Sequence, residues 1–560
     1  MRLLFLLATF VAAAALPAPL YAASLPSKDT VARYADQMLT ENYTQDSPGA
    51  TVIVARGDQV LFRGARGMSD VEHATPLKPG DLLDIGSITK QFTAAGLLKL
   101  VEAGKVSLDD PLSKFIKDCP GGNTITVLEL LNHTSGVKDY SDTPGPQNKP
   151  LTIKEAIDSF KNEKPDFAPG KNWAYDNSGY LLISAVIEAV SGVPWHVYLQ
   201  KTLFDPLGLA HTRYSGDPAV AAGQMHGYKL VNGKPMPAPL VSQTRSYGDG
   251  ALISNVDDLL KWNRALHEGH VLHRATYREM ITPVGAAAAE QYGLGISHTT
   301  LRGHDMLGHS GHISGYSAYL LYLPQSATTV AILQNMDRDA RVTDPEENAR
   351  KLAAFAIGKP YPAPQPIAVD AATLRQAEGA YGTDPPGPRA GSHQGRRLLR
   401  VADGGLTIAR TADYRFALIP LGPDTFQSTD GLDRIDLVRN PAGVATAIRF
   451  FPRGEGEGQL LPLQDGSKPN PQIALPPDAQ TNLTGSYLVE GMEARAFMEN
   501  GLLKLELVGQ DNSAATLLAE SPRKFFAAEV DAAVEFTPAE GKAQSLTVHQ
   551  SGENIVFQRK

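Results

Sequence analysis

Cysteine is nearly missing from this 560-residue chain: Cys119 is the only one. That excludes a disulfide framework and any multi-cysteine metal or iron–sulfur site. Surplus positive charge is missing too. The net charge is −8, and a phosphate backbone needs a clustered Lys/Arg surface, so nucleic-acid binding is excluded. Gly and Pro number 51 and 40, roughly one residue in six and below the ~25–30% that marks low complexity. There is no G-x-S-x-G elbow, no H-E-x-x-H pair and no phosphate-binding glycine loop. An α/β-hydrolase and a zincin-type peptidase are therefore disfavoured. What remains is ordinary globular composition, 42% hydrophobic and 20% charged, in a length that suits about three to five domains.

The first 23 residues read as an export signal. Arg2 gives a positive start, Leu3 to Leu16 is an apolar stretch with only Thr9 polar, and Pro17 and Pro19 break it before Leu20-Tyr21-Ala22-Ala23. The stretch is shorter than the ~18–20 residues of a membrane span. No later apolar run approaches that length. The expectation is a periplasmic or secreted chain that leaves the membrane once the signal is cleaved, in keeping with its scarcity of cysteine.

Texture divides the rest. Residues 24–358 mix strands with helical periodicity. Ala50–Ala55 and Val60–Ala65 flank Arg56-Gly57-Asp58-Gln59 as a hairpin, in which the Arg-Gly-Asp is a plain turn. Phe92, Ala95, Leu98 and Val101 repeat at helical spacing up to Gly104, and helices are expected over Ile153–Lys161, Tyr180–Val190, Trp195–Leu203 and Asp257–Leu266. Four prolines between 360 and 366 mark a linker over 359–368, and Pro469, Pro471, Pro476 and Pro477 mark another over 467–480. Between and beyond them, residues 369–466 and 481–560 read as all-β. They resemble each other: Leu374 with Gly379-Ala380-Tyr381-Gly382 parallels Leu483 with Gly485-Ser486-Tyr487-Leu488, and the first copy carries an insertion near Asp384–Gln394. Two small antiparallel barrels are expected, because closure removes exposed strand edges.

Ser87-Ile88-Thr89-Lys90 carries the central chemical signal. The S-x-x-K pattern recurs at Ser135 and Ser521, but Ser135 lies in the turn Thr134-Ser135-Gly136, and Pro522 follows Ser521 in a β-rich region. Only Ser87 opens a strongly amphipathic helix. There the i, i+3 spacing places Lys90 one turn on along the same face, and the helix N-terminus favours negative charge on the serine oxygen. A serine hydroxyl needs a neighbour that removes its proton, and a lysine does so only in its neutral form, which burial favours.

Two further groups join it: Tyr175-Asp176-Asn177 and His309-Ser310-Gly311-His312. The order S-x-x-K, Y-x-N, H-x-G resembles the serine β-lactamase and penicillin-binding-protein superfamily in its class C-like branch. Leu130-Leu131-Asn132-His133-Thr134-Ser135-Gly136 and Pro206-Leu207-Gly208-Leu209 fit the same pattern, so the resemblance spans roughly residues 30 to 358. It implies an α/β catalytic domain, an antiparallel sheet flanked by helices with a helical subdomain. It implies Ser87 as the nucleophile of an acyl-enzyme, activated by Lys90, with Tyr175 as partner base. Asn177 would hydrogen-bond Lys90 and the substrate amide. The backbone N–H groups of Ser87 and His312 would form the oxyanion hole, Gly311 would line the substrate strand, and His309 would sit beside the Tyr175 and Ser87 hydroxyls.

His309 departs from the K-T-G of many relatives, whose Lys helps bind a substrate carboxylate. An imidazole is mostly neutral at pH 7, which argues against strong β-lactamase or D,D-carboxypeptidase activity. A catalytic domain followed by two barrels is similar to the bacterial D-aminopeptidases, which release an N-terminal D-residue from peptides and amides and whose motif also ends in H-x-G. In that family a loop of the last barrel enters the cleft. By repeat position the loop here carries Glu490-Gly491-Met492-Glu493, so Glu490 and Glu493 would meet a substrate ammonium.

The expected function is an exported serine hydrolase acting on small-molecule or peptide amides, foremost those with an N-terminal D-residue. The alternatives are a carboxylesterase, a weak β-lactamase or D,D-peptidase, and, outside catalysis, a covalent acyl sensor or cell-wall-binding protein. His267, His270 and His273 are spaced by three, but Gly269 interrupts their helix, and the H-x-G reading accounts for His309 and His312, so no metal or other cofactor is expected. Gly248-Asp249-Gly250-Ala251 reads as a turn near the cleft. The oligomeric state stays open, a homodimer included.

Overall fold

The hairpin at Arg56–Gln59 forms one edge of the catalytic sheet. In the computed structural model, strand β1 (Ala50–Arg56) pairs with β2 (Gln59–Arg66) across that turn, with a bulge between Val54 and Ala55. The structure describes residues 25–560 except 143–148, 218–224, 232–233, 240–241, 243, 338–343, 384–395, 403–404, 410–414, 430–431, 465–472, 474, 490–491, 500–501, 509–513, 528–531 and 551–552. The expected signal segment, Glu490 and all of the insertion at Asp384–Gln394 therefore lie outside the described residues.

Helix α1 (Lys28–Asn42) precedes the hairpin, and helices α2 (Thr89–Glu102), α3 (Ser178–Ser191) and α4 (Val256–His267) follow it. Four more strands complete the sheet: β3 (Ser297–Leu301), β4 (His304–Ile313), β5 (Tyr316–Leu323) and β6 (Thr328–Gln334). The order is β3-β4-β5-β6-β1-β2, antiparallel throughout. The early hairpin is thus zipped onto late strands, with Ala50 opposite Gln334. Helix α5 (Pro345–Ala356) ends the domain.

Side chains alternate between two cores, as the period of two in a strand requires. Val52, Val54, Leu321, Leu323, Val330 and Ile332 pack under α1 and α5. Ile53, Ala55, Leu320, Ala331 and Leu333 face α2, α3 and α4. Both faces are covered, which is why β1 and β5 read as near-continuous apolar runs. On the second face Phe92 stacks on Trp262 at 4.0 Å between ring centroids, and burying such a ring contributes roughly 1.5–3 kcal/mol.

Three of the expected helices start and end close to where periodicity puts them: Ile153–Asp158, Ser178–Ser191 and Val256–His267. Asn255 caps α4 by accepting Asp258 N–H at 2.9 Å, and Gly192 ends α3 in the left-handed region. The helix at Trp195 is α-helical only to Leu199 and continues as a π-turn to Phe204. Helix α2 differs from its expected amphipathic form. Every residue from Thr89 to Leu98 is buried, because the sheet lies on one side and α3 and the turn at Tyr247–Asp249 lie on the other.

The C-terminal third holds two eight-stranded antiparallel units. The first runs from Gly379–Tyr381 to Gln459–Pro462, and its ends meet where Gly382 N–H bonds Pro462 O and Gln464 N–H bonds Ala380 O, both at 2.8 Å. The second, from Gly485–Val489 to Glu553–Arg559, is a closed barrel. Their likeness extends to detail. Each opens with a glycine at φ near +150°, Gly379 and Gly485. Each then places a buried tyrosine whose hydroxyl donates to the carbonyl four residues back, Tyr381 to Ala377 and Tyr487 to Leu483.

The first unit is docked on the catalytic domain. Glu455 accepts Arg302 N–H at the β3–β4 turn (2.9 and 3.0 Å) and Tyr361 O–H (2.5 Å). Glu346 of α5 lies between Arg350 of its own helix (2.9 Å) and Arg453 of the barrel (2.5 Å).

Candidate active site

The turn Ile85-Gly86-Ser87-Ile88 delivers the serine. Ile85 N–H bonds Leu252 O at 3.0 Å, and Ile88 N–H closes the turn on Ile85 O at 3.2 Å. Strand β4 presses against this turn so closely that only glycine fits on both sides. A Cβ on Gly86, which has φ +48°, would stand 2.6 Å from His312 N, and one on Gly311 would stand 2.0 Å from Ile85 O. The two backbones that would supply the oxyanion hole are therefore neighbours.

Lys90 is fully buried in the first turn of α2. Its Nζ lies 3.1 Å from Ser87 Oγ, 2.9 Å from Asn177 Oδ1 and 3.0 Å from the carbonyl of Asp249. Three acceptors match the three N–H bonds of an ammonium. The same nitrogen lies 4.8 Å from the centre of the Tyr175 ring. Asn177 is oriented from the far side: Asp139 accepts its backbone N–H at 3.0 Å and its side-chain amide at 3.4 Å. That fixes which end of the amide meets the cation.

Tyr175 packs on His133, with ring centroids 4.4 Å apart. His133 is fully buried and receives the N–H of Asp176, the residue after Tyr175, at 3.3 Å. Burial, aided by the Lys90 charge, pushes the His133 imidazole well below its ordinary range, so it is neutral. His309 lies behind Tyr175, 6.2 Å between ring centroids. Its Nδ1 is 2.6 Å from Ser310 O, so Nδ1 carries the proton, and its Nε2 accepts the Tyr292 hydroxyl at 2.8 Å. Burial holds the phenols of Tyr292 and Tyr180 well above their ordinary range, which keeps both as donors.

A cavity of about 310 Å³ opens on this array. Ser87, Tyr140, Tyr175, Asn177, Asp249 and His312 are on its wall. Its described lining comes from residues 87 to 313, all within the catalytic domain. Ser87, Lys90, Tyr175, Asn177, His309, Gly311 and His312 are thus brought together. Glu493 is not. It lies half-buried on a strand of the closed barrel, with Lys560 Nζ at 3.6 Å. Repeat position alone, which suggested it, does not specify where a barrel edge points.

No sequence pattern assigns a role to Tyr292, Asp139, Tyr140 or His133. His133 stood in the Leu130–Gly136 string, which was the one signal available. Tyr292 sits 17 residues before His309 with no spacing to flag it. As for metals, among the described residues Asp70, Glu72 and His226 bring ligand atoms within 4.8 Å of one another. They form a surface group apart from the cavity lining, and Asp70 and Glu72 already bond His73 Nδ1 (2.8 Å) and Tyr228 O–H (2.7 Å).

A family model described as Beta-lactamase matches residues 30–355. The chain is 27% identical over 359 residues to Penicillin-binding protein 4* of Bacillus subtilis (strain 168), covering 59% of this chain and 78% of that protein. It is 27% identical over 328 residues to D-aminopeptidase of Gluconobacter oxydans (strain 621H), covering 56% of this chain and 60% of that protein. The octameric penicillin-binding protein homologue from Pyrococcus abyssi superposes with TM-score 0.54 at 23% identity, over 85% of this chain and 97% of that one. D-amino acid amidase from Ochrobactrum anthropi SV3 superposes with TM-score 0.52 at 22% identity, over 58% and 97%. The two structural likenesses are likenesses of fold.

Proposed function

The chain belongs to the beta-lactamase family, whose members include serine hydrolases, and from that premise we propose that it releases N-terminal D-residues from peptides and amides. The observation that carries the hydrolytic part is the bond of Lys90 Nζ to Ser87 Oγ, with Tyr175 beside it and His312 N against the serine turn. Ser87 Oγ attacks the scissile carbonyl carbon, and Tyr175, as the partner base, takes its proton. The charge that grows on the carbonyl oxygen meets the backbone N–H groups of Ser87 and His312. The C–N bond breaks as Tyr175 returns the proton to the leaving amine. Water then repeats the sequence on the acyl-enzyme and frees Ser87.

Two features favour an amine-terminal substrate over one with a carboxylate beside the scissile bond. His309 stands where a carboxylate-binding Lys would, and both of its nitrogens are engaged. The D-aminopeptidase relative is named for the same class of substrate. Export belongs to the proposal as well and rests on Arg2 and the apolar stretch after it.

The test compares the purified chain with Ser87→Ala on D-alanine p-nitroanilide, its L-enantiomer, a p-nitrophenyl ester and a chromogenic cephalosporin. Ser87-dependent turnover of the D-anilide over the L-form is expected. Turnover of the ester alone replaces the proposal with an esterase, and turnover of the cephalosporin alone with a β-lactamase. One product per chain and then silence replaces it with an acyl sensor.

A further inference from the structure

The acylation steps leave one acid on the cavity wall without a task. Asp249 lies in the turn Tyr247–Asp249, and its backbone carbonyl is tied to Lys90 Nζ at 3.0 Å. Its carboxyl is a separate matter. Oδ2 accepts the Tyr140 hydroxyl at 2.8 Å. The three N–H bonds of Lys90 are spent on Ser87, Asn177 and the Asp249 carbonyl, so Lys90 does not bond the carboxyl. The residue is 4% exposed and lines the cavity together with Ser87 and Asn177. An acid so enclosed, met only by a neutral donor, is costly to ionise until a cation arrives.

The substrate brings one. In an aminoacyl amide the ammonium nitrogen is about 2.5 Å from the carbonyl carbon that Ser87 attacks, two bonds away. It must therefore enter the part of the cavity next to Ser87, which Asn177 and Asp249 also line. We infer that the Asp249 carboxylate receives the free α-ammonium of the substrate's N-terminal residue, so that the site selects free aminoacyl amides over N-acylated ones. This rests on the aminopeptidase reading above and supplies its specificity element.

Charge at the site is consistent with it. Burial pushes the Asp249 carboxyl up to about 8, against the pull of the Lys90 ammonium and the Tyr140 hydroxyl, and the Asp139 and Asp176 carboxylates add to the rise. Arg245 lines the same wall, with its guanidinium 5.8 Å from the centre of the Tyr140 ring. At pH 7 the empty site therefore holds a neutral acid. An arriving ammonium ionises it: the carboxyl proton leaves to water, and the carboxylate pairs with the ammonium. Binding tightens as pH rises from 6 toward 8 and weakens again once the substrate amine, at about 7.7–8.0, loses its own proton.

The experiment uses the full chain carrying Ser87→Ala, which binds without turnover. D-alanine p-nitroanilide and its N-acetyl form are titrated calorimetrically, with and without Asp249→Asn, at pH 6 to 8. For the free amine, the expected result is a Kd at least tenfold weaker in the Asp249→Asn chain, release of close to one proton per site at pH 7, and a Kd that falls about tenfold or more from pH 6 to 7.5. The N-acetyl form is expected to respond to neither change. Equal losses for both ligands mean that Asp249 only supports Lys90, and they overturn the inference, as does a free amine that does not bind. If Asp249→Asn does not fold, the pH series on the Ser87→Ala chain decides alone, and a flat Kd overturns the inference. Hydrolysis by the unmodified chain is read separately. An ammonium site without D-anilide turnover sinks the aminopeptidase reading and leaves this one standing. Turnover with an Asp249-independent Kd does the reverse.

Discussion

The Tyr292 hydroxyl donates to His309 Nε2 at 2.8 Å, and with Nδ1 held on Ser310 O this fixes both the tautomer and the ring plane of His309. His309 in turn backs Tyr175. Tyr292→Phe keeps the ring and removes the donor to a largely buried acceptor. A loss of this kind is about 1–2 kcal/mol. If His309 positions Tyr175, kcat/KM on the Ser87-dependent substrate falls roughly five- to thirtyfold. Unchanged kinetics with a lowered melting temperature would make the pair purely structural.

Lys90→Met tests the centre of the array. Methionine fills similar space and donates nothing, so Ser87 Oγ, Asn177 Oδ1 and the Asp249 carbonyl all lose their common partner. A positioned proton-transfer group contributes 10²–10⁴-fold, and the expected fall in kcat/KM is on the order of 10³. A fall of less than about tenfold would mean that another group activates the serine.

Gly311→Ala tests the close approach of β4 to the serine turn. The new Cβ would stand 2.0 Å from Ile85 O, so strand and turn must separate, and His312 N moves with the strand. The expected result is a loss of about 100-fold or more in kcat/KM, with about 1–3 kcal/mol of destabilisation. Gly80→Ala is the control, because its Cβ would meet only Arg63 Nη2 at 3.7 Å. Equal behaviour of the two variants would show that the approach does not matter.

What was legible in the sequence was what local spacing carries. Ser87 and Lys90 are one helical turn apart, the Arg56–Gln59 hairpin is a turn between alternating runs, and the tyrosine and glycine repeats mark two barrels. Contacts made by distant segments were not legible. Tyr292 reaches His309 from the segment leading into β3, and Asp139 reaches Asn177 from a loop 38 residues upstream. Nothing periodic records such pairings. Helix α2 looked amphipathic because Thr89, Lys90, Gln91 and Thr93 are polar. They are buried because each has a partner inside, among them Gly248 O for Thr93 and Trp262 Nε1 for Gln91. Burial of polar groups depends on such partners, and those belong to the fold rather than to the pattern.

Glu346 offers a test of how firmly the first barrel is docked. Burial opposes its ionisation, but the Arg453 and Arg350 guanidiniums outweigh burial and hold the carboxyl well below the usual carboxylate range. A depressed acid contributes stability above its unfolded value, about 4.3, and loses it as pH falls through the folded value. The contribution is therefore complete at pH 7 and shrinks below about pH 4. Its size is tempered by partial exposure, with the Glu346 and Arg453 side chains 20% and 25% accessible; about 1–2 kcal/mol is a fair expectation. Glu346→Gln should lower the unfolding temperature at pH 7, and the gap from the parent chain should narrow between pH 4 and 3. Arg453→Met should do the same and also hasten proteolytic cleavage near the 359–368 connection, since the barrel would then hold to the β3–β4 turn through Glu455 alone among the charged contacts described. A gap that stays constant with pH would show that the Glu346 charge does not hold the two domains together.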